Sequence, residues 1–176
     1  MILLVGQAPA ASAPDSVLPA DRGNHLAGAR FVKFSGIDLQ TYSRRFRRMN
    51  VLTEFPGRGG GKGDLFPRDR AARAIPIFEE FLASRPRDPV IFLGRATASL
   101  FHADAKTAKP FSRVGPLEFQ RHWIPHTSGI VRFWNNTSNR DRLRTLVQGL
   151  LTSTEVVDST PIEEIEHDEQ DVHIQE

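Results

Sequence analysis

Pro89-Val-Ile-Phe-Leu-Gly94, followed directly by Arg95-Ala-Thr-Ala-Ser-Leu-Phe101, is the stretch that decides the fold class. A short apolar run bounded by proline and glycine reads as a buried strand, and the residues after Gly94 read as a helix. Strand, glycine, helix is the βα unit of a parallel sheet. Working outward, Met1–Val5 is a second such run, punctuated by Gly6, and Arg121–Pro125 is a last short strand that leads into His126. Residues 7–24 hold three prolines and no periodicity, so they form a long loop. Residues 24–34 include a helix. Asp38–Arg48 is expected to be another, with Leu39, Tyr42 and Phe46 on one face. Met49–Thr53 then becomes a strand carrying Asn50.

Asp69–Ser84 has Ala72, Ile75, Phe78, Phe81 and Leu82 at helical spacing, with Pro76 either kinking the helix or marking its true start. Residues 102–120 are irregular. Thr137–Leu151 closes the domain as a helix, with Ser138 or Asn139 as its cap. The expected architecture is one α/β domain over residues 1–151: three α/β/α layers around a short, mainly parallel central sheet. Residues 152–176 are acidic, poor in aromatics and expected to be a disordered tail.

The 176 residues suffice for one domain with a sizeable core. No run reaches the roughly 18–20 apolar residues of a membrane span. Met1–Val5 is too short, and lacks the basic flank, to be a secretory signal. The absence of cysteine excludes disulfides, thiolate metal sites and iron–sulfur clusters, and no scattered Asp or His has metal-ligand spacing. The natural expectation is a monomeric intracellular protein, in cytoplasm or nucleoid and of cellular or viral origin, with no membrane partner. The net charge of +2 conceals an asymmetry: every Lys and Arg precedes Thr145, while nine acids lie within residues 152–176. The body thus sets 23 basic residues against 12 acids and carries +11. Such a body suits a polyanionic partner such as DNA, the alternative being a solubilising surface charge. For the tail, occupation of a cationic groove and simple solubilisation are both open.

Two segments carry the chemistry. Met1-Ile-Leu-Leu-Val-Gly-Gln-Ala-Pro-Ala10 and Trp123-Ile-Pro-His-Thr-Ser-Gly-Ile130 are apolar runs that stop abruptly at small, polar and proline residues. That is how a buried strand delivers a loop to the rim of a parallel sheet, where α/β proteins place their chemistry. Asn50 has an amide that can donate and accept at once; its bland alternative is a strand-end turn cap. For His126 the bland alternative is a satisfied loop histidine. Phe55-Pro-Gly-Arg-Gly-Gly-Gly-Lys-Gly-Asp-Leu-Phe-Pro67 is glycine-rich and basic but lacks the phosphate-loop pattern, so a surface loop and a phosphate contact through Lys62 both remain open.

Gly6-Gln-Ala-Pro-Ala10 resembles the first motif of the uracil-DNA glycosylase superfamily, GQDPY in the familiar enzymes and GEAPG or GLAPA in relatives. Asn50 resembles the asparagine that reads the base. Val90-Ile-Phe-Leu-Gly-Arg-Ala96 is similar to the LG-x-x-A strand–helix unit, and His126-Thr-Ser-Gly129 to the HPSP or NPSG motif. The resemblance covers most of residues 1–151 in the right order. It implies a glycosylase that extrudes a uracil-like or 5-substituted pyrimidine from DNA and hydrolyses its N-glycosidic bond without a cofactor. The backbone of Gly6 and Gln7 would face the base as an anion site, Asn50 would pair with its edge, and His126 would meet the charge developing at O2. Ile130 or Val131 would wedge into the minor groove while Arg132 holds phosphate, with Ser128 and Gly129 as further DNA contacts. The chain also departs from the pattern. Ala8 stands where the familiar enzymes have a water-positioning Asp, with Glu54 and Asp64 as conceivable substitutes. Ala10 replaces the tyrosine that crowds the 5-carbon, and Thr127 replaces the motif proline. Phe31 or Phe34 would have to stack on the base. The branch of relatives that binds an iron–sulfur cluster is excluded. A binding protein on the same fold, recognising DNA or a nucleotide without turnover, is the alternative.

Overall fold

The computed structural model describes residues 1–21, 23, 25–58, 65–127 and 132–158, the last four as helix backbone only. Four strands form one sheet: β1 (Ile2–Gly6), β2 (Phe46–Asn50), β3 (Val90–Leu93) and β4 (Arg121–Ile124). Their spatial order is β2-β1-β3-β4, and every pairing is parallel. Parallel strands need long crossovers, and helices supply them. These are α1 (Ala27–Ser35), α2 (Leu39–Arg45), α3 (Arg68–Ala72), α4 (Ala74–Ser84) and α5 (Arg95–Phe101), with α6 (Thr137–Asp158) the last helix among the described residues.

Strands β1 and β3 are apolar apart from Gly6 because both faces of the sheet are covered, whereas β2 carries two arginines and β4 opens with the buried Arg121 and His122. Alternation along each strand sorts the side chains into two cores. Ile2, Leu4, Ile91, Leu93 and Ile124 face a cluster with Phe31, Tyr42, Leu143 and Val147, from α1, α2 and α6, and with Trp134 from the short 3-10 turn Arg132–Asn135. Leu3, Val5, Val90, Phe92 and Trp123 face Ala71, Phe78, Leu82 and Ala98, from α3, α4 and α5. The α/β/α layering is therefore as the sequence predicts.

Three boundaries differ. The expected helix over Asp38–Arg48 ends at Arg45, and Phe46 already has extended backbone, with φ −117° and ψ 120°. Phe46 pairs with Ile2 and packs its ring on Phe31 and Tyr42, so pairing overrides the local helical pattern. The helix expected over Asp69–Ser84 is two helices broken at Arg73. Pro76 sits in the first turn of α4, where its missing N–H would have had no partner anyway. Finally, α6 is capped by Asn136, whose side chain accepts from the Ser138 N–H at 2.9 Å, rather than by Ser138 or Asn139. It also continues seven residues beyond Leu151, into the segment expected to be disordered. Leu143, Val147, Leu150, Leu151 and Thr154 form its buried stripe, and the Thr154 hydroxyl accepts from Arg45 at 3.0 Å. Residues 159–176 lie outside the described residues.

Candidate active site

The order β2-β1-β3-β4 reverses direction between β1 and β3. A crevice opens beyond the carboxyl ends of the strands at such a reversal. Gly6, Asn50, Gly94 and His126 all lie at these ends. Gly6 and Asn50 are register partners on neighbouring strands. The ladder continues past them, with Val51 N–H donating to the Gly6 carbonyl at 3.0 Å and Leu52 N–H to the Gln7 carbonyl at 2.9 Å. Position 6 must be glycine: a Cβ there would stand 2.5 Å from Asn50 Oδ1 and 2.9 Å from Leu18 Cδ2.

The Asn50 amide is the most unusual group in this region. Its Oδ1 and Nδ2 are both buried, and neither has a hydrogen-bond partner among the described residues. An unpaired buried polar group costs on the order of 1–3 kcal/mol, which a ligand edge with one donor and one acceptor would recover. A turn-capping role is ruled out by the same observation, since a cap would have an N–H at Oδ1.

His126 lies on the other side. Strands β2 and β4 are three spacings apart, roughly 14 Å, so Asn50 and His126 flank the ends of β1 and β3. The loop carrying His126 is pinned from three directions. Its carbonyl accepts from Trp134 Nε1 at 3.0 Å. The Thr127 hydroxyl, fully buried, donates to the Ala27 carbonyl at 2.7 Å, and the Thr127 carbonyl accepts from Arg30 Nε at 3.0 Å. Thr127 thus anchors the loop to the start of α1, holding by hydrogen bonds what a motif proline would hold by its ring. Gly94, at φ 102°, holds a backbone conformation that side chains rarely adopt; a Cβ there would make only ordinary contact, 3.8 Å from His126 Cβ and 3.9 Å from Thr97 Oγ1. The Thr97 hydroxyl is itself buried without a partner.

The remaining expected site residues divide. The Gln7 side chain turns to the Leu65 carbonyl at 3.0 Å. Ala8 packs against the core on the α3–α4 side of the sheet. Ala10 is half-buried in a tight turn, its carbonyl accepting from the Ala13 N–H at 2.9 Å. Arg132 is exposed in a short 3-10 turn beyond His126. Lys62, Asp64, Ser128, Gly129, Ile130 and Val131 lie outside the described residues. Glu54 is exposed and paired with Arg70 at 3.4 Å. Neither expected stacking ring is open to a base. Phe31 is fully buried against Tyr42 and Phe46. Phe34 lies on Trp134, with the guanidinium groups of Arg30 and Arg140 over its ring. Phe66, half-buried and next in sequence to the Leu65 that receives Gln7, is the aromatic nearest in sequence to that contact.

Sequence reasoning missed Leu18. It is buried with a positive φ of 48°, its side chain lies against Gly6, and its carbonyl accepts from Tyr42 Oη at 2.8 Å. Burial in the surrounding core holds the Tyr42 phenol well above its ordinary range, against the opposing pull of the Arg48 charge. Val17-Leu18 is the one pair of large apolar residues in the loop, and that was the available signal.

The perturbed histidines sit at the opposite end of the sheet. His102 closes α5 with a ring nitrogen 3.4 Å from the Arg121 guanidinium, and His122 Nδ1 is 3.2 Å from the Phe111 carbonyl. Burial lowers both pKa values below 6.5, with the Arg121 charge adding to the effect on His102. The chain matches no family model and no curated protein.

Proposed function

We propose that the crevice receives a uracil or 5-substituted pyrimidine flipped out of DNA, and that the protein hydrolyses its N-glycosidic bond. The observation that carries this reading is the Asn50 amide, buried beside Gly6 with donor and acceptor both unpaired. A pyrimidine edge offers N3–H and O4 at matching spacing. As the bond from C1′ to N1 breaks, negative charge moves onto the base and the sugar becomes oxocarbenium-like. His126, held across the crevice, meets the charge at O2. Water adds at C1′, leaving a free base and an abasic site, and no cofactor is needed. The net +11 of residues 1–151 supports DNA as partner, with Lys62, Ser128, Gly129, Ile130 and Arg132 as its contacts. Ala10 leaves room for a 5-substituent.

Binding without turnover is the second reading, and Ala8 favours it. No carboxylate stands at that position to orient water, and Glu54 is engaged by Arg70. An abasic-site assay separates the two. The full chain is incubated with oligonucleotides carrying uracil, mismatched thymine or 5-hydroxymethyluracil, then treated with alkali. Strand cleavage that disappears in His126→Ala supports excision. Base-selective binding that Asn50→Ala abolishes, without cleavage, supports the second reading. Binding that ignores the base and Asn50 refutes both.

A further inference from the structure

The edge of the sheet holds a second feature, independent of the crevice. Strand β2 has β1 on one side and no strand on the other among the described residues. An edge strand presents outward N–H and C=O groups that can pair with an added strand. An open groove of about 810 Å³ is lined by Phe46–Met49 of this strand, with Asp21 its one acidic lining residue. Arg44, Arg47 and Arg48 line it, and Val17, Ile77 and Phe81 supply apolar walls. Val17 and Ile77 are 43% and 63% exposed. None of these three arginines has a carboxylate partner among the described salt bridges. A ligand for this groove is therefore an extended peptide, anionic, with some branched apolar residues.

The chain contains such a peptide. Residues 162–171 read Ile-Glu-Glu-Ile-Glu-His-Asp-Glu-Gln-Asp, six acids with two isoleucines and no Lys or Arg. Helix α6 delivers it to the right place. Thr154 Oγ1 accepts from Arg45 at 3.0 Å, and the next residue back, Arg44, lines the groove. The helix ends one turn later, at Asp158. A five-residue strand needs only about 17 Å, and the residues that follow Asp158 span up to ~60 Å when extended. Tethering replaces a bimolecular encounter by an effective concentration in the millimolar range.

We propose that residues 162–171 dock in the groove on the outer edge of β2, adding a strand whose acids face Arg44, Arg47 and Arg48. The contact caps the exposed sheet edge and neutralises part of the basic body. It does not depend on whether the crevice excises a base.

The absence of native cysteine makes the test direct. A nitroxide is attached to the full chain at Gln170→Cys, a position that leaves every acid in place. Amide signals of Arg44 and Phe46–Met49 should lose most of their intensity. They should regain it in about 1 M salt, where the Debye length falls to ~3 Å. The combined change Glu163→Gln, Glu164→Gln and Glu166→Gln should also restore them, as should Arg47→Glu with Arg48→Glu. The β2 signals in the unlabelled charge variants show that the fold is kept. Unattenuated β2 signals in the labelled chain overturn the proposal. So does attenuation centred on Gly6 and His126, which would put the tail over the crevice. Attenuation that appears only between molecules, in a mixture of spin-labelled and isotope-labelled protein, makes the occupant a second copy. If a duplex oligonucleotide shifts the β2 signals and the spin label never does, the groove is a nucleic-acid surface and the proposal fails.

Discussion

At the amino ends of the strands, buried polar groups have found each other. Arg121, first in β4, lies 3.4 Å from the His102 ring and 4.2 Å above Phe119. His122 meets the Phe111 carbonyl, and at the surface beside them the exposed Asp104 accepts from the Gly115 N–H at 3.0 Å. At the carboxyl ends, the Asn50 amide and the Thr97 hydroxyl are buried with nothing to bond. Both ends belong to one sheet and are closed by loops, so burial alone does not explain the contrast. The partnered end contributes stability, whereas the unpartnered end forgoes stability and keeps its donors and acceptor for something else.

The comparison breaks most visibly at Asn50. Asn50→Ala should lower single-turnover base excision at least ~100-fold, equivalent to about 2.7 kcal/mol, while the melting temperature stays level or rises. A large fall in Tm with retained excision would mean that the amide serves the fold. Gly115→Ala tests the other end. The new Cβ would stand 2.6 Å from His102 Nδ1, at a φ of 75° that side chains rarely adopt. A loss of about 1–3 kcal/mol in stability is expected, with the excision rate per folded molecule unchanged. Denaturant unfolding and single-turnover kinetics on the same preparation read both.

Acid should sharpen the contrast. The folded state lowers the pKa of His102 and His122 below 6.5, so the unfolded chain binds more protons as pH falls. Stability from these neutral rings is present above 6.5 and lost as pH falls through the folded values. Tm should therefore drop between about pH 7 and pH 5, and replacing both histidines by Gln should flatten that slope. The smallest effect belongs to Thr97→Val, which removes a hydroxyl that bonds to nothing. Stability should stay level or rise by less than ~1 kcal/mol; a clear loss would reveal a partner for the hydroxyl.

The sheet was legible because parallel strands covered on both faces must be apolar throughout. Ile2–Val5 and Val90–Leu93 show this in one dimension, and β4 only in its second half, Trp123-Ile124. Strand β2 was not legible in the same way. It is an edge, and Phe-Arg-Arg-Met-Asn carries the arginines an exposed edge tolerates, so it reads as the end of a helix. Asn50 and His126 were recognisable as candidates by their place after apolar runs. Their support was not: the Leu18 turn joins residues 24 apart, and the Thr127 bonds to Ala27 and Arg30 join residues about 100 apart in the chain.

By itself, the sequence determined the α/β class, the two-sided core and the strand ends at which polar residues emerge. Each depends on local composition and on a period of two or 3.6 residues. Tertiary structure alone decided that Phe46 would pair with Ile2, that α6 would run on to meet Arg45, and that Phe31 and Phe34 would be sealed in the core. It also decided that the Asn50 amide would be left without a partner. These outcomes depend on which distant surfaces meet, and a hydrogen bond's absence is settled only when every neighbour is in place.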